Sequence, residues 1–463
     1  MVIPTVSTTH VQLMYRSTWR RCLSASSAVP YDSYLSSRAR RRLPSAIRAL
    51  QPLVNLPGMI SLGGGMPHPS TFPFESMSLT FKESVGGGKV EIAGGDLVAA
   101  LQYSPTPGLP QLVATLLAMQ RAEHAPPPAA DADLTLSVTT GSQDGLSKAF
   151  DMLLDEGDTL LIEDPTYSGS LAYLEPLGVH LAGVPTDADG LVPSDLRSML
   201  EAWPQNDAAH PKPRVLYTIP TGGNPTGATL SAARRAEVYA IASEHELIVL
   251  EDDPYYYLGF EDDANEEEAA YTRLKSLLSI DVDGRVLRFD SFSKLLSSGL
   301  RLGVVTGPKA LVERIDLHTQ ATTMHSCGVA QVMLHALFVK WDEEHAGGAR
   351  GGFLEHCAAT RDFYAVRRDA FVVSATKHLS GRATWTTPVG GMFVWIDLHN
   401  VEDSEALITQ GALDAKVLLV PGAAFRSAEA PPTGYVRAAF STASIDEIDE
   451  AMRRLALLLP PLE

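Results

Sequence analysis

The sequence is poor in cysteine, which limits covalent cross-links and metal sites. It holds three cysteines in 463 residues, Cys22, Cys327 and Cys357, and none of them forms a CxxC motif. This spacing supports neither a disulfide framework nor a structural zinc site. The thirteen histidines show no HExxH spacing. We therefore expect no metal centre, and reduced, buried thiols are the simplest interpretation.

Positive charge and long apolar runs are also scarce. The chain has 37 Lys and Arg against 55 Asp and Glu, a net charge of −18. No broad basic field is available to hold phosphates, which argues against a nucleic-acid partner. No apolar run approaches the ~18 residues needed to span a bilayer, so we expect no membrane insertion. The hydrophobic fraction of 45% is ordinary for a globular protein.

Acidic residues are missing from the first 31 positions. This segment contains Arg16, Arg20 and Arg21 among many Ser and Thr, but no Asp or Glu. Such a composition is typical of a mitochondrial transit peptide. It fits a non-functional extension equally well, since the arginines are few and show no amphipathic period. We expect a cytoplasmic protein, with the mitochondrial compartment as the alternative.

The remaining chain alternates between strand-like and helical runs. Strands are predicted at 134–139, 159–162, 215–219, 247–250, 286–289 and 302–306, and a helix at 231–246. This alternation predicts a mainly parallel sheet with helices on both faces. Loops are expected at 123–133 and 261–270. The Gly-rich stretch 346–352 is interpreted as a change of lobe, followed by strands around 391–396 and a helix with a capping box at 444–447.

These patterns divide the chain into four parts. The predicted divisions are 1–31 as an extension, 32–94 as an arm with part of a small domain, 95–345 as a large domain, and 346–463 as the rest of the small domain. The basic run at 36–42 is interpreted as a solvated surface.

The segment 290–303, DSFSKLLSSGLRLG, carries the most chemistry. It places Lys294 between two hydroxyls, Ser291 and Ser293, and ahead of Arg301. A lysine amine can bind an aldehyde cofactor covalently. The hydroxyls can donate to phosphate oxygens, and the guanidinium offers a planar cationic fork. These are the parts needed to hold an aldehyde that carries a phosphate.

Three other segments place polar side chains where a predicted strand ends. They are TTGSQDG at 139–145 with Ser142 and Gln143, YTIPTGGNPTG at 217–227 with Asn224, and LIVLEDDPY at 247–255 with Asp252, Asp253 and Tyr255. Open α/β sheets bind ligands at the carboxyl ends of their strands. We expect these side chains to meet in one site.

Together these motifs resemble a known family. The order TGSQDGL, EDPTYSG, YTIPTGGNPTG, EDDPYYY, DSFSKLLSSGLRLG, GGMFVWI and VRAAFSTAS is similar to the class I/II aminotransferases of PLP fold type I. It is most similar to kynurenine/2-aminoadipate and fungal aromatic amino-acid aminotransferases. The resemblance runs from Tyr34 to the C-terminus. It implies an α/β fold with a mainly parallel seven-stranded sheet between helices in the large domain, plus a smaller α+β domain.

The resemblance also implies pyridoxal 5′-phosphate as cofactor and assigns residues to its ring. Asp252 would hold the protonated ring nitrogen, with Asp253 as the alternative. Because strand residues alternate between faces, only one of the two can face the cofactor. Asn224 and Tyr255 would contact the phenolic oxygen, and Tyr167 would stack on the ring.

The phosphate is assigned to a second set of residues. Ser142 and Gln143 would offer backbone amides at a helix N-terminus, beside Ser291, Ser293 and Arg301. Tyr103 resembles a tyrosine that reaches the phosphate from a partner subunit. A homodimer with shared active sites is therefore implied.

The substrate carboxylate is assigned to Arg437, in the strand-like run YVRAAFS at 435–441, together with Asn224. The alternative is that Arg437 pairs with a carboxylate of the protein. Gly65, Arg48 and Tyr103 would line the side-chain pocket. Gly63 and Gly223 stand where relatives often have larger residues, which puts the pocket shape in doubt.

The resulting functional expectation is a transaminase in which Lys294 is the catalytic base. The donor would be an aromatic amino acid such as tryptophan, phenylalanine, tyrosine or kynurenine, and the acceptor a 2-oxo acid such as 2-oxoglutarate. Alternatives are a 2-aminoadipate or broad-specificity aminotransferase and a PLP lyase. A ligand-sensing regulator is more distant, because no helix-turn-helix pattern precedes the fold.

Overall fold

The computed structural model describes residues 29–46, 56–60, 62–63, 65–204, 209–260 and 274–460. Arg48 and the acidic loop predicted at 261–270 lie outside the described residues, as does most of the N-terminal extension.

Helices occur along the whole described chain. They are α1 Tyr31–Tyr34, α2 Ser37–Arg41, α3 Gly94–Leu101, α4 Pro110–His124, α5 Pro128–Asp131, α6 Ser142–Leu153, α7 Ser168–Leu174, α8 Pro193–Glu201, α9 Ala232–Glu244, α10 Lys309–Ala321, α11 Gly328–Glu344, α12 Gly348–Leu379, α13 Ser404–Ala406 and α14 Ile445–Leu458.

Strands form three sheets. They are β1 Ser76–Thr80, β2 Lys89–Ala93, β3 Leu134–Thr139, β4 Thr159–Asp164, β5 His180–Asp187, β6 Gly190–Leu191, β7 Val215–Thr218, β8 Ile248–Asp252, β9 Val286–Ser291, β10 Gly303–Pro308, β11 Ala383–Trp385, β12 Phe393–Leu398, β13 Val420–Pro421 and β14 Tyr435–Ala439. Strands β1 and β2 make a separate hairpin.

The central sheet has the order β3-β10-β9-β8-β7-β4-β5-β6. Strands β9, β8, β7, β4 and β5 pair in parallel, whereas β10 runs opposite to both of its neighbours. The predicted mainly parallel sheet is confirmed. The expected number of seven strands is wrong by one, because a tight turn with Gly190 at φ +88° folds the short β6 back on β5.

Both faces of this sheet are covered by helices because its strands alternate apolar residues between the faces. In β7, Tyr217 joins the core formed with α6, α7 and α10. The neighbouring Leu216 joins the core formed with α8 and α9 on the opposite face. We call this sheet with its helices the large lobe.

A second, antiparallel sheet has the order β11-β12-β14-β13. Its buried face packs on α12 and α14 through residues such as Phe371, Val394, Val436 and Leu455. The predicted capping box is present at the start of α14, where Ser444 and Glu447 bond reciprocally. We call this sheet with its helices the small lobe. No helix in the described residues is long and apolar enough to cross a membrane.

Two local predictions were wrong, those for 123–133 and 36–42. The segment 123–133 contains the short helix α5. The Gly-rich stretch 346–352 lies at the start of the long helix α12, where a Cβ on Gly352 would lie 2.4 Å from Trp341 of α11, so glycine lets the two helices approach closely. The basic run at 36–42 is not simply solvated, since Arg38 and Arg42 both pair with Asp151 of α6 and hold the arm against the large lobe. The predicted domain division at 346 falls between α11 and α12 and stays a prediction.

A buried charge cluster lies beneath the carboxyl edge of the central sheet. Arg288 of β9 is fully buried and contacts Glu251, Asp253 and Asp290 at 3.1, 3.1 and 2.8 Å. One cation thus holds the ends of β8 and β9 together. Removing one partner of a buried ion pair leaves an uncompensated charge, which is expensive.

We expect Arg288→Met to lower the free energy of unfolding by about 3–5 kcal/mol, measured by urea denaturation, because three buried carboxylates lose their cation. Arg197, which pairs with Glu244 at the surface, provides the control. Arg197→Met should leave the free energy of unfolding nearly unchanged. Equal effects of the two substitutions would contradict a special role for the buried cluster.

Candidate active site

A cavity of about 320 Å³ opens at the carboxyl edge of the central sheet, facing the small lobe. The residues predicted for the site that line it are Ser142, Gln143, Tyr167, Asn224, Asp252, Tyr255, Ser291, Ser293, Lys294, Arg301 and Arg437. They come from the ends of β3, β4, β7, β8 and β9 and from β14. The sheet order explains the convergence, because the strands that run in parallel end at one edge.

One end of the cavity has the features of an anion site. It lies at the N-terminus of α6, whose first backbone amides have no partner within the helix. Gly141 precedes α6 with φ +79°, and a Cβ there would lie 2.3 Å from Nη2 of Arg301. Arg301 itself has φ +50°. Glycine at 141 therefore lets the guanidinium lie directly over the helix end.

Three further contacts fix this end. Nη1 of Arg301 donates to Oγ of Ser293 at 3.2 Å. A Cβ on Gly303 would lie 2.7 Å from the backbone nitrogen of Ser142, so glycine there allows β10 to approach α6. The side-chain amide of Gln143 donates to the carbonyl of Gly169 at 3.1 Å. A phosphate at this position would therefore meet backbone amides, hydroxyls and one guanidinium.

Asp252 also lines the cavity and is 3% exposed. Its Oδ2 accepts a hydrogen bond of 2.8 Å from the Tyr217 hydroxyl, which in turn accepts one of 3.0 Å from Ser170. Its Oδ1 is buried and has no hydrogen-bond partner among the described residues. Burial raises the pKa of Asp252 to about 7. An unpartnered carboxylate oxygen in this position fits the protonated ring nitrogen of pyridoxal phosphate.

Asp253 points away from the cavity. Its Oδ2 accepts from Nη1 of Arg288 at 3.1 Å, within the buried charge cluster. The structure thus places Asp252, and not its neighbour, among the cavity residues, as the alternation of side chains along a strand requires.

Lys294 also lines the cavity. Burial lowers its pKa, and the positive charges of Arg301 and Arg437 lower it further. The neutral amine is the form that can attack a carbonyl carbon or accept a proton. Tyr255 is buried nearby, with its ring edge-on to Phe393 at 5.8 Å between centroids, and burial raises its pKa. Its hydroxyl therefore stays protonated and can donate.

Arg437 is brought to the cavity by β14 of the small lobe. Its guanidinium carbon lies 4.3 Å from the ring centre of Phe393 and 4.8 Å from that of Phe425. Its Nη1 donates to Oδ1 of Asn224 at 2.9 Å. Among the described residues, its buried Nε has no hydrogen-bond partner, and no carboxylate forms an ion pair with its guanidinium. The alternative of an ion pair with the protein is not observed among these residues, and an external carboxylate could take this place.

Two predicted residues, Tyr103 and Gly65, do not line this cavity. Tyr103 is 47% exposed and meets the ring of His325 edge-on at 6.0 Å between centroids. Gly65 is exposed, with open space around it. Arg48 lies outside the described residues.

Sequence reasoning missed Tyr217 and Ser170, which hold Asp252. A signal was present, because the tyrosine interrupts an otherwise aliphatic strand. The contact of Tyr217 with Asp252 could not be predicted from the sequence, because it depends on the register of β7 and β8, in which Tyr217 pairs with Leu250. Asp252 is two residues further along and therefore points to the same face.

We expect Tyr217→Phe to raise the dissociation constant for pyridoxal phosphate by roughly 10- to 100-fold, because a hydrogen bond to a charged group contributes about 1.5–3 kcal/mol. The measurement is an absorbance titration of the cofactor-free protein.

Tyr239 offers a matched control, since its hydroxyl donates to Asp281 at 3.0 Å in another part of the large lobe. Tyr239→Phe removes the same kind of bond and should leave cofactor affinity unchanged. Unchanged affinity in Tyr217→Phe would contradict the role given to this hydroxyl.

Comparison with known proteins agrees with this geometry. The chain matches the family aminotransferase class I and II over residues 89–455. It is 40% identical to the mitochondrial kynurenine/alpha-aminoadipate aminotransferase of Mus musculus, over 93% of this chain and 99% of the relative. It is 35% identical to an aromatic amino acid aminotransferase of Schizosaccharomyces pombe, over 73% and 75% of the two chains.

Solved structures with a similar fold are also aminotransferases. The crystal structure of aminotransferase Aro8 from Candida albicans matches with a TM-score of 0.81 and 27% identity, over 92% of this chain and 97% of that one. A Pyrococcus horikoshii kynurenine aminotransferase, solved in complex with PMP, matches with a TM-score of 0.69 and 29% identity. The expectation drawn from the motifs is confirmed: this chain belongs to the class I and II aminotransferases, which use pyridoxal phosphate.

Proposed function

We propose that this aminotransferase moves the amino group of an aromatic amino acid to a 2-oxo acid such as 2-oxoglutarate. The donors would be tryptophan, phenylalanine, tyrosine or kynurenine. The observation that carries the proposal is the partly buried guanidinium of Arg437, which forms no ion pair with a carboxylate of the described residues and shares one cavity with Lys294 and Asp252. The names of the relatives in Mus musculus and Schizosaccharomyces pombe support the substrate class.

Within this proposal, one set of cavity residues holds the ring of the cofactor and another set holds its phosphate. Asp252 would bind the ring nitrogen, Tyr167 the ring face, and Asn224 and Tyr255 the phenolic oxygen. The phosphate would lie at the N-terminus of α6, against Ser142, Gln143, Ser291, Ser293 and Arg301. When bound, pyridoxal phosphate acts as an electron sink for charge that develops at the substrate Cα.

Arg437 and Lys294 divide the work on the substrate. Arg437 would bind the α-carboxylate in a bidentate manner, and the amide of Asn224 would assist. This fixes the Cα–H bond relative to Nζ of Lys294. Nζ, favoured in its neutral form by burial, would take the proton from Cα as a general base. The 2-oxo acid presents the same carboxylate to Arg437 in the second half of a ping-pong reaction.

A donor panel tests the substrate class. Purified protein is supplied with 2-oxoglutarate and one donor at a time, namely tryptophan, phenylalanine, tyrosine, kynurenine or 2-aminoadipate, and the glutamate formed is measured. We expect kcat/KM to be highest for an aromatic donor. Lys294→Ala should form almost no glutamate, since it lacks the amine that moves the proton.

The outcomes separate the alternatives. A preference for 2-aminoadipate over every aromatic donor would favour the alternative function, which the name of the Mus musculus relative also includes. Turnover near the native level in Lys294→Ala would overturn the catalytic assignment.

The proposal includes a homodimer with shared sites. Tyr103 lies outside its own chain's cavity, so contact with a cofactor phosphate requires a second copy. The region 56–74, whose Pro67 carbonyl accepts a hydrogen bond from Gln102 beside Tyr103, also exposes large apolar side chains, which is typical of a surface covered by a partner. These exposed residues are Leu56, Met59, Ile60, Leu62, Met66 and Phe74. The same interface would bring Gly65 and Arg48 of one copy to the substrate pocket of the other.

Mixing two damaged subunits tests the shared site. We expect heterodimers of Lys294→Ala and Tyr103→Phe to contain one site with both defects and one with neither. Activity after mixing should exceed that of either homodimer, provided that each substitution alone is damaging. A fully active monomer in analytical ultracentrifugation would contradict the shared site.

The compartment belongs to the proposal as well. The relatives from Mus musculus, Bos taurus and Rattus norvegicus are named mitochondrial. This supports the mitochondrial alternative for residues 1–31 over the cytoplasmic expectation.

A further inference from the structure

The two lobes contribute different halves of the active site. Lys294, Asp252 and Tyr167 belong to the large lobe, whereas Arg437 belongs to the small lobe. A substrate whose carboxylate is bound by Arg437 reaches Lys294 correctly only if the lobes hold a fixed relative position. A misplacement of about 1 Å can cost roughly 100-fold in rate. The contacts that join the lobes next to Arg437 are therefore of interest.

One dipeptide of the small lobe makes such contacts. Phe425 and Arg426 follow β13, at the end of a short 3-10 helix, Gly422–Phe425. The carbonyl of Phe425 accepts a hydrogen bond of 2.8 Å from the backbone nitrogen of Thr166. Arg426 donates through Nε and Nη2 to the two carboxylate oxygens of Asp164, at 3.0 and 3.1 Å. A bidentate pair of this kind fixes orientation as well as distance.

On both sides of this interlobe contact, the neighbouring residues belong to the active site. On the small-lobe side, the ring of Phe425 is fully buried and lies 4.8 Å from the guanidinium carbon of Arg437. On the large-lobe side, Asp164 is the last residue of β4 and Thr166 lies in the short loop that leads from β4 to Tyr167, whose ring lines the cavity. The dipeptide thus spans the distance between Arg437 and the Tyr167 loop.

The ion pair between Arg426 and Asp164 is not the contact that holds the two lobes together. On another side of the cleft, the backbone nitrogen of Phe260 donates to Val389 at 2.8 Å, and that of Gly391 donates to Leu258 at 3.0 Å. The side chains of Arg426 and Asp164 are 26% and 35% exposed. A partly exposed ion pair adds little to stability, so its effect should be on geometry.

We propose that Arg426 and Asp164 form an interlobe positioning pair that sets the place of Arg437 relative to the Tyr167 loop. Neither residue touches substrate or cofactor. The inference rests on the proposed function, in which Arg437 binds the substrate carboxylate.

The test measures carboxylate binding separately from catalysis. The probe is 3-phenylpropionate, which is phenylalanine without its amino group, and its dissociation constant is read from the cofactor absorbance of the holoenzyme. Arg426→Gln and Asp164→Asn should each weaken binding by roughly 3- to 30-fold, the usual size of such coupling. The double variant should lose no more than either single variant, because both remove the same contact. Arg426→Lys keeps the charge but not the fork and should lie in between.

The large lobe offers a matched control in the same groove. Arg234 of α9 makes a bidentate pair with Asp187 at 2.6 and 2.7 Å, and both residues belong to one lobe. Asp187 and Asp164 line the same groove of about 520 Å³ between the lobes. Arg234→Gln removes an equivalent ion pair and should leave the dissociation constant of 3-phenylpropionate unchanged.

The outcomes are distinct. Weaker binding in Arg426→Gln, with cofactor absorbance and melting temperature like those of Arg234→Gln, supports the positioning role. Binding equal to that of Arg234→Gln, or additive losses in the double variant, would overturn it. Loss of cofactor absorbance together with loss of 3-phenylpropionate binding would show a structural role instead. If Arg426→Gln does not fold, Asp164→Asn and Arg426→Lys provide the same comparison. Arg437→Ala is the reference: unchanged binding there would overturn the proposed role of Arg437 itself.

Discussion

The burial of the Asp252 carboxylate is the constraint around which this site is built. A carboxylate out of contact with water is costly unless its oxygens are bound. Here one oxygen is bound by Tyr217 and the other is left for a ligand. The fold supports this arrangement by placing Asp252 at the end of a fully buried strand, beside the strand β7 that carries Tyr217. A cation on the ligand offsets the cost, so the empty protein is prepared for a positively charged ring.

The two arginines of the cavity are also placed to meet ligand groups of opposite charge. Arg301 brings positive charge to the place where a phosphate would lie, and Arg437 brings it to the place where a substrate carboxylate would lie. Their combined effect on Lys294 favours the neutral amine. The cationic groups that bind the anionic parts of the ligands thus also tune the base between them. Substitution of either arginine would change both binding and the proton affinity of Lys294.

Much of this site follows from sequence because it is built from strand ends. Ser142, Asn224, Asp252 and Ser291 each follow a readable apolar run, and the parallel sheet order brings those runs to one edge. Contacts that depend on register or on loop packing could not be predicted. Tyr217 donates its hydrogen bond to Asp252 only because of the register in which β7 pairs with β8. The close packing of Gly352 in α12 against Trp341 of α11 is another contact that the glycine-rich composition of 346–352 does not reveal.

The meeting of Gly222 with Gly391 has a mechanical consequence. A Cβ on Gly222 would lie 2.6 Å from the Cα of Gly391, so the two lobes touch there backbone to backbone. Side chains can change rotamer to take up a small displacement, but backbone in contact cannot. This contact therefore fixes the distance between the two lobes at one point of the cleft. Any relative rotation of the lobes would leave this point in place and would displace the atoms farthest from it the most.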